Sequence, residues 1–276
     1  MKNYSNLSFS LFCKKNAWNF VLKKGIKQFL DEKIPCIAGY SIEFNYESGE
    51  NIRFAISCLT EQADQLAKDA DEYFKLFFRR NDLPSASIKL PLNGIFLPFP
   101  CNSIQFGLYR GKSETCLLSG ILSRTIIDAL CDDEIDNESI VTLAFYLYLG
   151  VLRKYERING SDAVDEYIRL NCKPSHGIDD KIFETSYEEN RELFEEISRD
   201  VMQSEEQVLL RDAPWLQQWL YACEEEIVAC QKSKKPGVVI LTSLIDAHLG
   251  FTENMRQLLK CILRNVFLHS LDQQPK

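Results

Sequence analysis

The chain has 276 residues, of which 45% are hydrophobic and 11% aromatic, so it can bury a substantial core as one large domain or two small ones. Its formal net charge of -8 excludes the basic excess that a general nucleic-acid binder uses to neutralise phosphates. With no apolar run of membrane-spanning length and no signal-peptide pattern at the N-terminus, we expect a folded cytoplasmic protein that does not bind membranes.

The N-terminal part alternates strand and helix patterns. Leu7, Phe9 and Leu11 occupy every second position, which predicts a first strand with one buried face. The same alternation predicts three further strands, and apolar residues at helical spacing predict two helices between them. The strands cover residues 41–46, 51–58 and 103–109, and the helices cover residues 17–33 and 60–80. The order β-α-β-β-α-β is typical of a ferredoxin-like unit, a sheet with helices on one face.

Beyond Gly111 the patterns are helical. Helices are predicted over residues 114–130, 140–153, 188–203, 215–232 and 254–268. The fold class is therefore α+β, with a ferredoxin-like N-terminal sheet followed by a mostly helical C-terminal part. We expect two parts, residues 1–111 and 112–276, that pack together as one functional unit.

Three polar residues interrupt the apolar run of residues 238–251, VVILTSLIDAHLGF. If the run is helical, Ser243 and Asp246 share a face because they are three residues apart, whereas His248 points elsewhere. The polar side chains either line a cleft or lie along the solvated edge of a packed helix. All three are candidate catalytic residues.

Polar residues of the predicted strands provide further candidates. Arg53, between Ile52 and Phe54, lies on the strand face opposite the apolar side chains, where it either lines a pocket or is an exposed charge. Tyr109 and Arg110 end the last predicted strand and are open to the same two interpretations. Weaker candidates are Tyr40 and Glu43.

The ten cysteines form no CxxC pair and no Cys/His cluster with zinc-finger spacing. Most of them lie beside Leu, Ile or Phe. We therefore expect buried reduced thiols rather than disulfides or metal ligands.

The order of elements, together with several motifs, resembles the SpaB C-terminal domain family, also called the thiopeptide-type bacteriocin biosynthesis domain. The resemblance extends over nearly the whole chain. Its motifs are an aromatic strand, a turn and an Arg-bearing strand (GYSIEFNYESGENIRFAIS), a strand end (FGLYR), a Ser-containing helix (LSRT), a buried helix (LAFYLYLGVL) and the closing SLID.

The resemblance implies chemistry on ribosomally made peptides. Some members eliminate glutamate from glutamylated Ser or Thr, and stand-alone members join two dehydroalanines in a formal [4+2] aza-cycloaddition that builds a pyridine and expels water and the leader peptide. The eliminating members use two arginines and a His where this chain has Arg53, Ala55 and Asp246. Elimination needs a base and cations for the leaving carboxylate, so these departures favour the cyclase.

The resemblance therefore predicts a pyridine synthase without metal or cofactor, acting on a dehydrated, azole-containing precursor peptide. Other enzymes of the pathway are further candidate partners, and a homodimer is left open. The alternatives are the elimination component of a split dehydratase and a non-catalytic module that binds leader peptides. The expected catalytic residues are Ser243, Asp246, His248 and Tyr109, and the expected substrate-binding residues are Arg53, Arg110, Tyr40 and Glu43.

Overall fold

The computed structural model describes residues 3–85, 99–107, 117–130, 135–174 and 179–272. Tyr109 and Arg110 lie outside the described residues. Among its described residues, the N-terminal part contains four strands and three α-helices, and the π-helical turn Val21–Ile26 joins the first two helices. These elements are β1 (Tyr4–Phe12), α1 (Trp18–Phe20), α2 (Lys27–Lys33), β2 (Ile37–Asn45), β3 (Asn51–Leu59), α3 (Ala63–Arg80) and β4 (Ser103–Phe106).

All regular elements in the described residues after β4 are helices. The helices are α4 (Leu117–Leu130), α5 (Asn137–Asn159), α6 (Ser161–Asn171), α7 (Asp179–Glu189), α8 (Arg191–Gln203), α9 (Glu206–Asp212), α10 (Gln217–Lys232), α11 (Gly237–His248) and α12 (Glu253–Asp272). Within the described residues, none of them combines the length and the apolar composition that crossing a membrane requires.

The four strands form one antiparallel sheet in the order β2-β3-β1-β4. This order, with strands and helices alternating as βαββαβ, is the ferredoxin-like arrangement that the sequence predicts. Together with the helices that follow, it confirms the α+β fold class. The register places Phe54 opposite both Phe9 and Ile42, so one face of the sheet is continuously apolar.

Aromatic side chains fill the core on this apolar face. The rings of Phe9 and Phe54 meet edge to face with centroids 5.1 Å apart, and Trp18 stacks on Phe44 at 4.5 Å. Phe29 and Phe74 pack against the same group of rings. Each fully buried side chain of this size contributes about 1.5–3 kcal/mol relative to exposure. This packing fixes which face of each strand points away from α2 and α3.

Helix α4 covers the outer edge of β2. The Ser123 hydroxyl accepts a hydrogen bond from the Ile42 backbone N–H at 2.9 Å and donates one to the Ser119 carbonyl at 2.7 Å. A Cβ atom at Gly120 would lie 3.4 Å from the Tyr40 carbonyl oxygen, so the small residue permits the close approach of helix and strand. A helix that covers a sheet edge hinders the addition of another strand there.

The chain divides into two compact units. Unit 1 comprises Met1–Ser139 with Ala247–Gly250, and unit 2 comprises Ile140–Asp246 with Phe251–Lys276. The division predicted between residues 111 and 112 stays a prediction.

Unit 2 is built around α5. The Trp219 indole N–H donates to the Leu147 carbonyl at 3.2 Å, and a Cβ at Gly150 would lie 3.0 Å from the side chain of Leu220. These contacts bring α10 against α5 at close range. The ammonium of Lys154, whose side chain is 5% exposed, lies on the same helix and contacts Glu206 at 3.2 Å and Glu224 at 2.8 Å.

Some helix boundaries differ from the sequence prediction. The helix predicted over residues 188–203 is interrupted at Asn190, where α7 has ended and α8 begins. Helices α6 and α9 lie where no helix was predicted. Each buries very few apolar side chains, Val164 and Ile168 in α6 and Leu209 in α9, so each offers few apolar positions from which a helix can be recognised.

Candidate functional site

The face of the sheet opposite the aromatic core carries small and polar side chains. Glu43 pairs with Arg53, and Ser41 pairs with Ala55. On the other side of β3, Ala55 pairs with Ser8. We refer to Ser8, Ser41, Glu43, Arg53 and Ala55 as the sheet-face cluster. All five line one small cavity of about 10 Å³, which has room for about one water molecule.

Arg53 is the cation of this cluster. Its guanidinium contacts the Glu47 carboxylate at 2.5 Å, and its side chain is 21% exposed whereas that of Glu47 is 75% exposed. Glu43 is also only partly buried. The two predicted substrate-binding residues Glu43 and Arg53 are thus brought side by side at a position that solvent reaches, and the charge of Arg53 is balanced by a carboxylate.

His248 contacts the sheet-face cluster from the end of α11. Its Nε2 atom lies 3.4 Å from the Ser41 hydroxyl, across 207 positions of the chain. His248 is 2% exposed and Ser41 is 4% exposed. A buried polar group is stable only with hydrogen-bond partners, and this contact supplies one to each side chain. The structure therefore places Glu43 beside Arg53 and brings His248 to Ser41, which lines the same cavity as Glu43 and Arg53.

The backbone after His248 explains how the segment Ala247–Gly250, which belongs to unit 1, approaches β2. The Phe251 N–H donates to the Asp246 carbonyl at 2.9 Å and the Gly250 N–H donates to the Ala247 carbonyl at 3.3 Å, the pattern of a Schellman motif. Gly250 has φ +62°, and a Cβ atom there would lie 2.2 Å from the Phe44 carbonyl oxygen. Only glycine allows this backbone approach, which holds the end of α11 against the strand that carries Ser41.

Asp246 belongs to a buried polar network in unit 2. Its Oδ1 accepts a hydrogen bond from the Tyr148 hydroxyl at 2.7 Å, and its Oδ2 accepts one from Arg256 Nε at 2.7 Å. Arg256 also contacts Glu253 at 2.5 Å. Burial and then the Asp246 charge raise the pKa of Tyr148, and the hydrogen bond to Asp246 raises the pKa of Arg256. Both carboxylate oxygens are therefore engaged by groups that hold their protons firmly.

The network continues through Thr242. The Tyr167 hydroxyl lies 3.4 Å from the Thr242 hydroxyl, and the Tyr148 hydroxyl lies 3.3 Å from the Thr242 carbonyl. Burial raises the pKa of Tyr167 to about 12. Ser243, the next residue of α11, is exposed. Ser243 and Asp246, which share a helix face by spacing, thus have different surroundings.

Tyr40 lies on the opposite face of the sheet from Glu43 and Arg53. Its ring meets that of Phe54 edge to face with centroids 6.4 Å apart. Burial, partly offset by the Arg124 charge, raises the pKa of Tyr40 to about 12. The structure therefore does not bring Tyr40 to the sheet-face cluster, and its predicted binding role stays a prediction, as do those of Tyr109 and Arg110.

Sequence reasoning missed Ser41, Tyr148 and Arg256 as members of polar clusters. Ser41 could have been noticed because it lies in a strand on the same side as Glu43. Tyr148 lies in a run that is apolar nearly all round, and Arg256 lies ten residues after Asp246. Neither has a sequence signal that connects it to Asp246.

A larger cavity of about 680 Å³ lies elsewhere in unit 1 and is lined by none of the predicted site residues. Its charged side chains are largely paired with one another. Lys14 contacts Glu50 at 3.5 Å, and the Lys15 backbone N–H donates to the same carboxylate at 3.0 Å. Asp136, also in the lining, accepts from the Ser139 N–H at 2.7 Å. Across the described ranges, no group of three His, Cys, Asp or Glu side chains is arranged to bind a metal ion.

Comparison with solved structures finds similarity to several chains, among them two proteins that align over nearly their full length. The pyridine synthase TbtD from thiomuracin biosynthesis aligns with a TM-score of 0.67 and 14% sequence identity, over 98% of this chain and 99% of that chain. TsrL aligns with a TM-score of 0.62 and 12% identity, over 99% of this chain and 100% of that chain. The chain shares their fold.

No protein-family model matches the chain, and no curated protein sequence matches it at a significant level. The solved structures support the shared fold alone, and membership of the SpaB C-terminal domain family stays a prediction. Because the shared fold covers both complete chains, it includes the sheet and the helices of both units. At 12–14% identity, it assigns no role to any single residue.

Proposed function

We propose that this protein is an enzyme of thiopeptide biosynthesis. It forms the central pyridine by a formal [4+2] aza-cycloaddition of two dehydroalanines in a precursor peptide, with loss of water and of the leader peptide. The observation that carries this proposal is the end-to-end likeness of fold to TbtD, which is described as a pyridine synthase. The sheet-face cluster with His248 supports it, because these residues offer several hydrogen-bonding groups around a single arginine.

The chemistry asks mainly for positioning. Two dehydroalanines of one peptide must be held face to face, and the amide that acts as azadiene must move its proton from nitrogen to oxygen. In well-oriented intramolecular systems, positioning alone lowers the barrier by about 7–11 kcal/mol. A proton carrier near the amide assists the tautomerisation and the later losses of water and leader amide.

In this proposal Arg53 and Glu43 bind the substrate. Arg53, partly open to solvent beside Glu47, donates hydrogen bonds to peptide carbonyl groups, and Glu43 accepts them from peptide N–H groups. His248 carries a proton, because imidazole is the side chain that both accepts and donates protons near neutral pH. Asp246 supports the fold of unit 2 through Tyr148 and Arg256, while Ser243 and Tyr109 keep their predicted roles.

The sheet-face cluster fits glutamate elimination less well. Elimination of a glutamate needs cations for the leaving carboxylate. The cluster holds one arginine, whose guanidinium is already 2.5 Å from the Glu47 carboxylate. The next residue on that face of β3 is Ala55, flanked by Ser41 and Ser8. Three small side chains thus occupy the positions at which a second anion-binding group would be needed. This arrangement suits an uncharged dehydrated peptide better than a glutamylated one.

The test is incubation of the purified protein with a leader-bearing, azole-containing peptide that has two dehydroalanines, followed by mass spectrometry. Conversion to a product lighter by water and the leader amide supports the proposal. An unchanged peptide contradicts it. A parallel incubation with a glutamylated peptide identifies the elimination alternative by loss of glutamate. Tight binding of the leader peptide without any change of mass identifies a binding module.

A further inference from the structure

We propose that Ser41 is a positioning residue for His248. Its hydroxyl holds the imidazole in one orientation while His248 gains and loses a proton. This inference rests on the proposed function for its catalytic meaning, but the contact itself can be tested without any substrate.

The first observation is the burial of both partners. Ser41 Oγ and His248 Nε2 are 3.4 Å apart, and neither side chain has more than 4% exposure. Because bulk water does not reach this contact, it cannot readily replace the hydroxyl if Ser41 is substituted. Loss of the hydroxyl therefore removes a hydrogen-bond partner from a buried imidazole, which is costly at such a position.

The second observation is the chemistry of the two groups. A serine hydroxyl both donates and accepts hydrogen bonds. It donates to Nε2 when His248 is neutral with its proton on Nδ1, and it accepts from Nε2–H when His248 is protonated. The same pair of atoms can therefore stay in contact in both states, so the ring need not turn between them. A proton carrier that keeps its orientation does not have to rearrange between its two protonation states, which lowers the free-energy cost of reorganisation.

The third observation is the approach of the two backbones. Gly250 lies so close to Phe44 that a Cβ atom would be 2.2 Å from the carbonyl oxygen. Phe44 and Ser41 belong to the same strand, and Gly250 follows His248 by two residues. The Schellman bonds of Gly250 and Phe251 fix this geometry. The distance from Ser41 to His248 is thus set by backbone contacts as well as by the side chains.

Two nearly isosteric substitutions separate a hydrogen-bonding role from a packing role. Ser41→Thr keeps the hydroxyl, and Ser41→Val replaces it by a methyl group of similar size. Both residues are favoured in strands. The chain contains three histidines, so ¹⁵N-histidine labelling gives a spectrum with few signals, and a His248→Gln variant assigns the ring signals of His248.

The substrate-free experiment measures the His248 ring ¹⁵N shifts across a pH titration. We expect Ser41→Val to change the tautomer populations of His248, while Ser41→Thr retains the wild-type pattern. Unchanged His248 shifts in Ser41→Val would overturn the inference. If Ser41→Val does not fold, Ser41→Ala takes its place, since the smaller residue adds no atom to the buried contact.

The catalytic experiment uses the leader-bearing bis-dehydroalanine peptide. We expect Ser41→Val to lower kcat about tenfold or more, because it removes roughly one hydrogen bond from the transition state. KM should change little. Ser41→Thr should restore most of kcat. Equal kcat in the two variants would contradict positioning. If the wild-type protein itself does not convert the peptide, the proposed function fails, while the ¹⁵N experiment still decides whether Ser41 orients His248.

Discussion

Asp246 Oδ2 accepts a hydrogen bond from Arg256 Nε at 2.7 Å, and the other oxygen of the same carboxylate accepts one from Tyr148. This arrangement ties α5, α11 and α12 together inside unit 2. A residue that sequence reasoning places among the catalytic candidates is thus held by structural hydrogen bonds on both of its oxygens. The role of Asp246 that can be tested first is its contribution to the stability of the folded protein.

We expect Asp246→Ala to lower the free energy of unfolding by about 3 kcal/mol, because it leaves Tyr148 without its short hydrogen bond and Arg256 without a buried counter-charge. Tyr148→Phe removes one neutral donor and should cost about 1 kcal/mol. Urea denaturation followed by circular dichroism measures both. An Asp246→Ala variant as stable as wild type would show that the network does not stabilise unit 2.

Arg53→Ala should weaken binding of the dehydrated precursor peptide by about ten- to a hundredfold, since a hydrogen bond from a charged group contributes about 1.5–3 kcal/mol. Isothermal titration calorimetry measures the change. Glu47→Ala is the matched control, because Glu47 is the partner of Arg53 in an exposed ion pair and its removal leaves the guanidinium in place. A larger loss of affinity in Glu47→Ala than in Arg53→Ala would refute the binding role.

Gly250→Ala should destabilise the protein by at least about 3 kcal/mol, because the positive φ costs about 1–2 kcal/mol and the added Cβ collides with the Phe44 carbonyl. Gly107→Ala provides the comparison, since Gly107 has φ +73° but no described atom lies within 4 Å of the position that a Cβ atom would take. It should cost only the conformational strain. Thermal unfolding by calorimetry distinguishes the two, and equal losses would mean that the backbone approach at Gly250 is not tight.

The ion pairs of Glu206 predict a pH dependence of stability. Burial tends to raise the pKa of Glu206, but hydrogen bonds and charges from Lys154 and Arg157 outweigh burial and lower it. Because the pKa is lower in the folded than in the unfolded state, the stabilisation is fully present above the unfolded value of about 4.3 and is lost as the pH falls through the folded value.

Glu206→Gln tests this pH dependence, because it removes the charge at every pH. We expect the free energy of unfolding at pH 7 to be about 1–3 kcal/mol higher for wild type than for Glu206→Gln. The difference should shrink as the pH falls below the unfolded value of about 4.3 and through the lower folded value. Urea titrations at several pH values measure it. Glu188→Gln, which alters an exposed residue on α7, is the control and should show no comparable difference in stability from wild type. A difference between wild type and Glu206→Gln that stays constant into the acid range would show that Glu206 does not cause the pH dependence.

Part of the candidate site could be predicted from local pattern. Alternation along β2 and β3 places Glu43 and Arg53 on the strand faces opposite the apolar side chains, as the structure shows. The short connection between the strands predicted at residues 41–46 and 51–58 restricts the register that pairs them. The contact of His248 with Ser41 could not be predicted in this way, because it joins residues 207 positions apart.

Helices with little apolar surface could not be predicted from the local sequence pattern either. Helices α6 and α9 were not predicted because each has few apolar side chains to bury, Val164 and Ile168 in α6 and Leu209 in α9. The break at Asn190 similarly separates two helices where the charged residues continue without interruption.

The sequence by itself determined the α+β class, the order of the strands and helices in the sheet-forming part, and the side of each strand that faces the core, because these follow from periods of two and 3.6 residues. Only the tertiary structure decided which polar groups meet. The Gly250 backbone brings His248 to Ser41, and the packing of three helices directs Tyr148 and Arg256 to Asp246. Such contacts depend on side-chain burial and backbone approach between distant segments, and neither follows from the spacing of residues along one segment.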